Sequence, residues 1–291
     1  MLNRITEHVY CSLPDGTTDR PVLGVIVGVR ATLLIDVGNS IAHAKLLLDE
    51  MARLNIAAPT YIVLTHWHWD HVFGGAAFAA PIFAYDETRR VIEMMAQQDW
   101  SDAALDRRVA EGSEIEFCRD MIKAELPDRS DLVIRPPDVS FATQMEFNLG
   151  GVHCLVKHVG GDHASDATVI YVPEDKLLFL GDCLYQDLYH GPWNYTTAKL
   201  FPLLDEIASY EAEWYIWSHS DTPMLKAEMN ELLAQLRLIG TLVTRLGDDR
   251  DRILQELATQ LSKPPDEDSL EWVDAFLAGL RRDVISKTVE Q

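Results

Sequence analysis

Two kinds of segment alternate along the chain: short apolar runs of strand length, and longer stretches with apolar residues at every third or fourth position. Leu23–Val29 and Thr32–Asp36 read as a β-hairpin turning near Val29-Arg30-Ala31. Ile41–Leu54 has helical spacing and follows Asn39-Ser40, a pair suited to capping a helix N-terminus. Thr60–Leu64 is short, uncharged and rich in β-favouring residues, as a buried strand should be. From Asp86 to Asp131 the chain becomes charged and helix-favouring, which predicts two or three helices ending at Pro136-Pro137, inserted in a β-rich core. Strands resume at Gln144–Leu149, Val152–Val159, Ala167–Val172 and Lys176–Leu180, with Pro173-Glu174-Asp175 turning between the last two. Glu213–Trp217 is a further strand. Beyond Thr222 the pattern is helical, interrupted at Lys263-Pro264-Pro265.

With 291 residues and 47% hydrophobic composition, the chain can bury a substantial core. Its charge is lopsided: 25 Lys and Arg against 46 Asp and Glu, a net −21. Such a surface repels phosphate backbones, so a nucleic-acid partner is disfavoured, whereas small neutral substrates or cations are compatible with it. No apolar run reaches membrane-spanning length and Met1–Cys11 lacks a signal-peptide pattern, so no membrane partner and a cytoplasmic location are expected. Cys11, Cys118, Cys154 and Cys183 form no C-x-x-C pair and suggest no disulfide framework.

The candidate chemistry sits directly after the predicted strand 60–64, in His66-Trp67-His68-Trp69-Asp70-His71. On an extended backbone, His66 and His68 lie on one side and can meet one metal ion. Asp70 and His71 can offer a carboxylate and a third imidazole to a neighbouring ion. Further ligands are needed, and three candidates lie where strands end. They are His163 in Gly160-Gly161-Asp162-His163, Asp182 in Leu180-Gly181-Asp182, and His219 in Trp217-Ser218-His219.

These motifs resemble those of the metallo-β-lactamase superfamily, whose signature is His-x-His-x-Asp-His followed by a histidine, a Gly-Asp and a last strand-end histidine. Leu33-Leu34-Ile35-Asp36 is similar to the family's early strand ending in Asp. The resemblance covers about residues 8 to 221. It implies a four-layer αββα sandwich, with residues 1–221 forming the catalytic domain around the helical insertion 86–131. Residues 222–291 then form a helical C-terminal extension packed on it. The resemblance further implies that His66, His68 and His163 hold one metal and Asp70, His71 and His219 a second. Asp182 would bridge the two, and Asp36 would support the ligand loop by hydrogen bonding. Two divalent ions of this kind lower the pKa of a bridging water, and Asp70 is placed to orient it and carry a proton. Mixed histidine and carboxylate ligands suit zinc, with iron and manganese as alternatives.

Two departures narrow the substrate. Where the zinc β-lactamases carry a cysteine ligand this chain has Asp182, with Cys183 one residue late; where they carry a substrate-binding lysine it has Tyr185. β-Lactamase activity is thereby disfavoured. An Asp with a tyrosine three residues on is similar to the acyl-homoserine-lactone lactonases, which implies that Tyr185 assists at the substrate carbonyl. The aromatic loop Tyr189–Tyr195 should lie near Asp182, and the helices of 86–131 should cover the cleft as a lid or form the contact of a homodimer. The expectation is a metal-dependent hydrolase of a small ester, lactone, thioester or amide. Its competitors are a phosphodiesterase or ribonuclease of the same fold, a single-iron oxygenase, and a non-catalytic metal-dependent binding module.

Overall fold

The computed structural model describes residues 1–289, with side chains described through Arg282. The expected hairpin is present: β3 (Gly24–Val27) pairs antiparallel with β4 (Thr32–Ile35), Gly24 opposite Ile35. Ahead of it lie β1 (Leu2–Arg4) and β2 (Val9–Ser12), and after it come β5 (Tyr61–Val63), β6 (Ile82–Tyr85) and β7 (Val139–Phe141). These strands form one sheet in chain order, antiparallel from β1 to β4 and parallel from β4 to β7. A second sheet holds β8 (Gln144–Asn148), β9 (His153–His158), β10 (Thr168–Val172), β11 (Leu177–Gly181), β12 (Trp214–Trp217) and β13 (Met224–Leu225). Its order is β13-β12-β11-β10-β9-β8, with only β11 and β12 running parallel among the described residues.

Helix α1 (Ile41–Arg53) begins as the sequence predicts: Ser40 Oγ accepts the His43 N–H at 2.9 Å. The single turn α2 (Trp69–Val72) follows the histidine motif. Residues 86–131 contain three helices, α3 (Asp86–Met95), α4 (Asp102–Glu111) and α5 (Glu116–Glu125). They connect β6 to its parallel neighbour β7, a link that a tight turn cannot make. Helix α6 (Thr197–Ala208) is not announced by the pattern, because Pro202 stands inside it and reads as a helix breaker. The C-terminal run forms α7 (Lys226–Leu246), α8 (Arg250–Leu261) and α9 (Glu267–Val289), with a second break at Gly247 beside the expected one. No helix among the described residues is long and apolar enough to cross a membrane.

Alternation along the strands builds the layers. Leu33 and Ile35 of β4 face inward and join Val156, Ile170 and Phe179 of the second sheet in a core between the two sheets. Leu34, one residue out of phase, packs outward with Leu47 and Met51 of α1 and Ile92 of α3. On the far side Val169 and Leu178 meet Leu203 and Ile207 of α6 and Leu236 of α7. The result is helices, sheet, sheet, helices, the αββα sandwich expected. Strands covered on both faces have no polar face, which is why Thr32–Ile35 is buried throughout.

Candidate metal centre

Loops leaving the C-terminal ends of β4, β5, β11 and β12 meet at one edge of the sandwich, carrying Asp36, the His66–His71 motif, Asp182 and His219. His163 joins them from the loop between β9 and β10. The loops are tied directly to one another: the Thr168 N–H donates to Thr65 O at 2.8 Å, and the Val37 N–H to His71 O at 3.0 Å. Gly181 has φ +57°, and a Cβ there would stand 3.0 Å from the Thr65 side chain. Only glycine lets the Asp182 loop approach the histidine loop this closely.

All seven candidate ligands come together, in two groups. The ligand atoms of His66, His68 and His163 lie within 4.8 Å of one another, and so do those of Asp70, His71, Asp182 and His219. Asp182 stands between the groups. Its Oδ2 is 3.5 Å from His163 Nε2 and 3.8 Å from His66 Nε2 on one side, and 3.3 Å from both His71 Nε2 and His219 Nε2 on the other. Asp70 Oδ2 is 3.0 Å from His71 Nε2 and 3.3 Å from His219 Nε2.

Partners behind the ligands fix which imidazole nitrogen faces the centre. Asp36, fully buried and held at φ +59°, accepts the Thr65 N–H at 2.7 Å through Oδ1. Its Oδ2 accepts the Thr65 hydroxyl and the His71 Nδ1–H, both at 2.8 Å. Thr65 Oγ1, its proton already given to Asp36, accepts from His66 Nδ1 at 3.0 Å. The Gln186 carbonyl accepts from His163 Nδ1 at 3.0 Å. In each case the Nδ1–H is held from behind, so Nε2 is the nitrogen that faces the centre.

Those inward atoms are what a metal requires. His66, His68 and His163 Nε2 and Asp182 Oδ1 are buried with no hydrogen-bond partner, an arrangement that costs free energy unless something binds there. Three imidazoles beside a mixed carboxylate and imidazole group form a donor set that fits divalent ions. The electrostatics agree. Burial drives His66 well below the usual imidazole range, with His71 adding to the effect, and drives His68 down to about 3, with His163 adding. Burial alone would raise Asp70 and Asp182, but the facing charges of His71 and His219 hold both well below the usual carboxylate range. Burial likewise opposes charge on His71 and His219, and the surrounding carboxylates outweigh it and raise both. Protons on two histidines thus balance the buried carboxylates, a charge that divalent ions would replace.

The centre opens into a cavity of about 230 Å³. Tyr185 lines it, the ring 5.9 Å from that of His163 and 6.1 Å from that of His219. Burial and the nearby Asp182 raise its phenol far above the ordinary value, so it is a hydrogen-bond donor at neutral pH. Tyr189 and Trp193 of the aromatic loop also line the cavity, as do Phe117 and Cys118 of α5. Helix α5 is anchored at its C-terminal end, where Glu125 bonds Arg20 at 2.8 Å and Ser40 at 2.5 Å. His190 remains outside, paired with Asp187 at 2.9 Å. Cys183 is buried in the apolar layer around α6 and α7 and belongs to neither ligand group.

Sequence reasoning did not single out Asp19. The turn that carries it, at φ +57°, brings its Oδ1 to 3.6 Å from His219 Nδ1, on the cavity wall. It faces His219 Nδ1, as Asp36 faces His71 Nδ1, but at 3.6 Å rather than the 2.8 Å of the Asp36 hydrogen bond. Its only local signal is a short polar turn, Asp15–Arg20, closed by paired backbone hydrogen bonds.

Residues 18–219 match the sequence profile of the metallo-beta-lactamase superfamily. No curated protein matches the chain in sequence. Among solved structures, a metallo-beta-lactamase from Pontibacter korlensis is 22% identical, with 80% of this chain and 97% of that one aligned at a TM-score of 0.55. A metallo-beta-lactamase family protein from Thermus thermophilus is 19% identical over 95% of this chain and 94% of that one, TM-score 0.59. A sec-alkyl sulfatase, in a double-mutant form, is 16% identical at a TM-score of 0.64, with 94% of this chain aligned to 47% of that one. At these identities the structural likeness speaks for the fold alone. The profile match and the ligand motif carry the assignment: this chain belongs to the metallo-beta-lactamase superfamily, a family typically of hydrolytic metalloenzymes. Its His/Asp metal-binding site is the one described above.

Proposed function

We propose that this protein is a dinuclear zinc hydrolase of small neutral esters, lactones, thioesters or amides. The observation that carries the reading is the placement of Asp182. One buried carboxylate stands between two ligand groups and within 3.8 Å of an imidazole nitrogen from each. In this reading His66, His68 and His163 would hold one ion and Asp70, His71 and His219 the other, with Asp182 shared between them. The ions, when bound, supply a nucleophile by lowering the pKa of water and polarise the carbonyl under attack.

The remaining chemistry falls to the chain. Asp70, fixed between His71 and His219, orients the attacking water and accepts its proton. The protonated Tyr185 hydroxyl donates to the carbonyl oxygen as negative charge develops there. Tyr189, Trp193 and Phe117 exclude water and hold the body of the substrate. Asp19, Asp70 and Asp182 face the cavity, and neither Lys nor Arg lines it among the described residues. Beyond the ligand histidines, an anionic phosphodiester or sulfate ester would find no cationic side chain there, so neutral substrates fit best. The test is a panel of lactones, thioesters, p-nitrophenyl esters, β-lactams and bis-p-nitrophenyl phosphate with the metal-loaded protein. Turnover confined to the phosphodiester or to β-lactams would overturn the substrate assignment.

A further inference from the structure

Tyr185 belongs to two cavities. One face borders the metal-centre cavity, and the residue also borders a second compartment of about 370 Å³ on the other side of the β12 end. The Tyr185 ring stands 5.0 Å from Trp217 in edge contact, and His219 follows two residues later, so the side chains between the two compartments adjoin the metal centre. The second compartment has an apolar lining from Trp217, Leu232 of α7 and Trp272 of α9, all half-buried. Glu228 and Asp268, both exposed, form an acidic rim, and no Lys, Arg or His lines the space among the described residues.

We propose that this compartment binds an uncharged aliphatic or aromatic arm of the substrate, with the reacting carbonyl held on the metal side of Tyr185. The inference rests on the hydrolase reading and names what that reading leaves open. Three arguments support it. The volume lies within the range of about 300–1,000 Å³ usual for small-molecule pockets. Half-exposed tryptophan and leucine side chains beside a catalytic cavity gain by covering their apolar surface. The acidic rim repels an anionic end, so a terminal carboxylate on the arm is selected against. Most of the lining, from the segment 220–224 together with α7 and α9, lies beyond the residues shared with the family profile. The shared part of the fold would then supply the chemistry, and the C-terminal helices the choice of arm.

The test uses p-nitrophenyl acetate, butyrate and octanoate and the mono-p-nitrophenyl ester of suberic acid, with the full-length metal-loaded protein. Each added methylene raises kcat/KM by up to about fourfold as it leaves water. Trp272→Ala lowers the octanoate-to-acetate ratio of kcat/KM by about tenfold, the worth of roughly two methylenes. Asp268→Lys, on the exposed rim, raises the suberate-to-octanoate ratio. A thermal unfolding curve for each variant separates lost folding from lost selectivity. A flat chain-length series, or ratios unchanged in both folded variants, overturns the proposal while leaving the hydrolase reading intact. If no ester, lactone, thioester or amide is turned over, the hydrolase reading falls, and direct binding decides the compartment. Octanamide, which carries no charge, titrated against intrinsic tryptophan fluorescence then saturates with the wild type and weakens in Trp272→Ala. No saturation with the wild type overturns it.

Discussion

Replacing Asp36 by Asn changes one atom in a buried carboxylate that belongs to neither ligand group, yet it should weaken metal binding in half of the centre. Asparagine has nearly the same volume and tolerates the φ of +59° found here, so the perturbation is chemical rather than steric. Asp36 accepts three hydrogen bonds, one through Oδ1 and two through Oδ2. An amide oxygen can keep the Thr65 N–H, but the NH₂ then takes the Oδ2 position and faces the Thr65 hydroxyl and His71 Nδ1. Thr65 can turn its hydroxyl and accept. His71 must move its proton to Nε2, the atom that should face the metal. A hydrogen bond to a charged group contributes ~1.5–3 kcal/mol, so the loss predicts a 10- to 150-fold (roughly) weaker affinity at the Asp70, His71 and His219 group. The His66, His68 and His163 group keeps its ion, because Thr65 can still accept from His66 Nδ1. Competition against a chromogenic chelator gives both affinities, and a thermal melt of the metal-free protein shows whether folding survives. Two sites of unchanged affinity in a folded Asp36→Asn protein would refute the tautomer argument.

Asp70→Asn is expected to lower kcat by about 10²- to 10⁴-fold, through loss of the base, while the His66, His68 and His163 group retains metal; steady-state rates with elemental analysis check both. Tyr185→Phe should lower kcat by about 10²-fold with KM little changed, the signature of a donor used mainly in the transition state. Unaltered kinetics would remove its role. Asp19→Asn should weaken the metal held by His219 by roughly 10- to 100-fold, read by the same chelator competition. In the metal-free protein, burial pushes His43 down to about 4, with Arg20 adding to the effect. The unfolded chain therefore takes up a proton below pH 6.5 that the folded protein refuses until about pH 4. Stability falls across that window by ~3 kcal/mol from this residue, and denaturant titrations of His43→Gln at pH 7.5 and 4.5 should show a smaller fall than the wild type.

The candidate ligands that the structure brings together were legible in the sequence because they are contiguous or sit at strand ends marked by local signals. His66, His68, Asp70 and His71 fall within six consecutive positions after a buried strand, and Gly181 announces the turn that delivers Asp182. Ser40 and the apolar spacing of Ile41–Arg53 likewise determine α1 locally. What was not legible depends on distance. Asp19 reaches His219 across 200 residues of sequence, and nothing in its own turn marks it as a partner of a metal ligand. Strands β6 and β7 run only four and three residues, too short for an alternation to stand out, and acquire identity only by pairing. Helix α6 was hidden by Pro202, which the packing of Leu200, Leu203, Leu204 and Ile207 tolerates. The apolar compartment beyond Tyr185 is a tertiary product of α7, α9 and β12.

The account depends most on the two ligand groups sharing Asp182, and elemental analysis of the purified chain tests that directly. The geometry predicts about two zinc ions per chain, falling to about one in Asp70→Asn. One iron per chain with oxygen consumption, or no bound divalent metal, would contradict it.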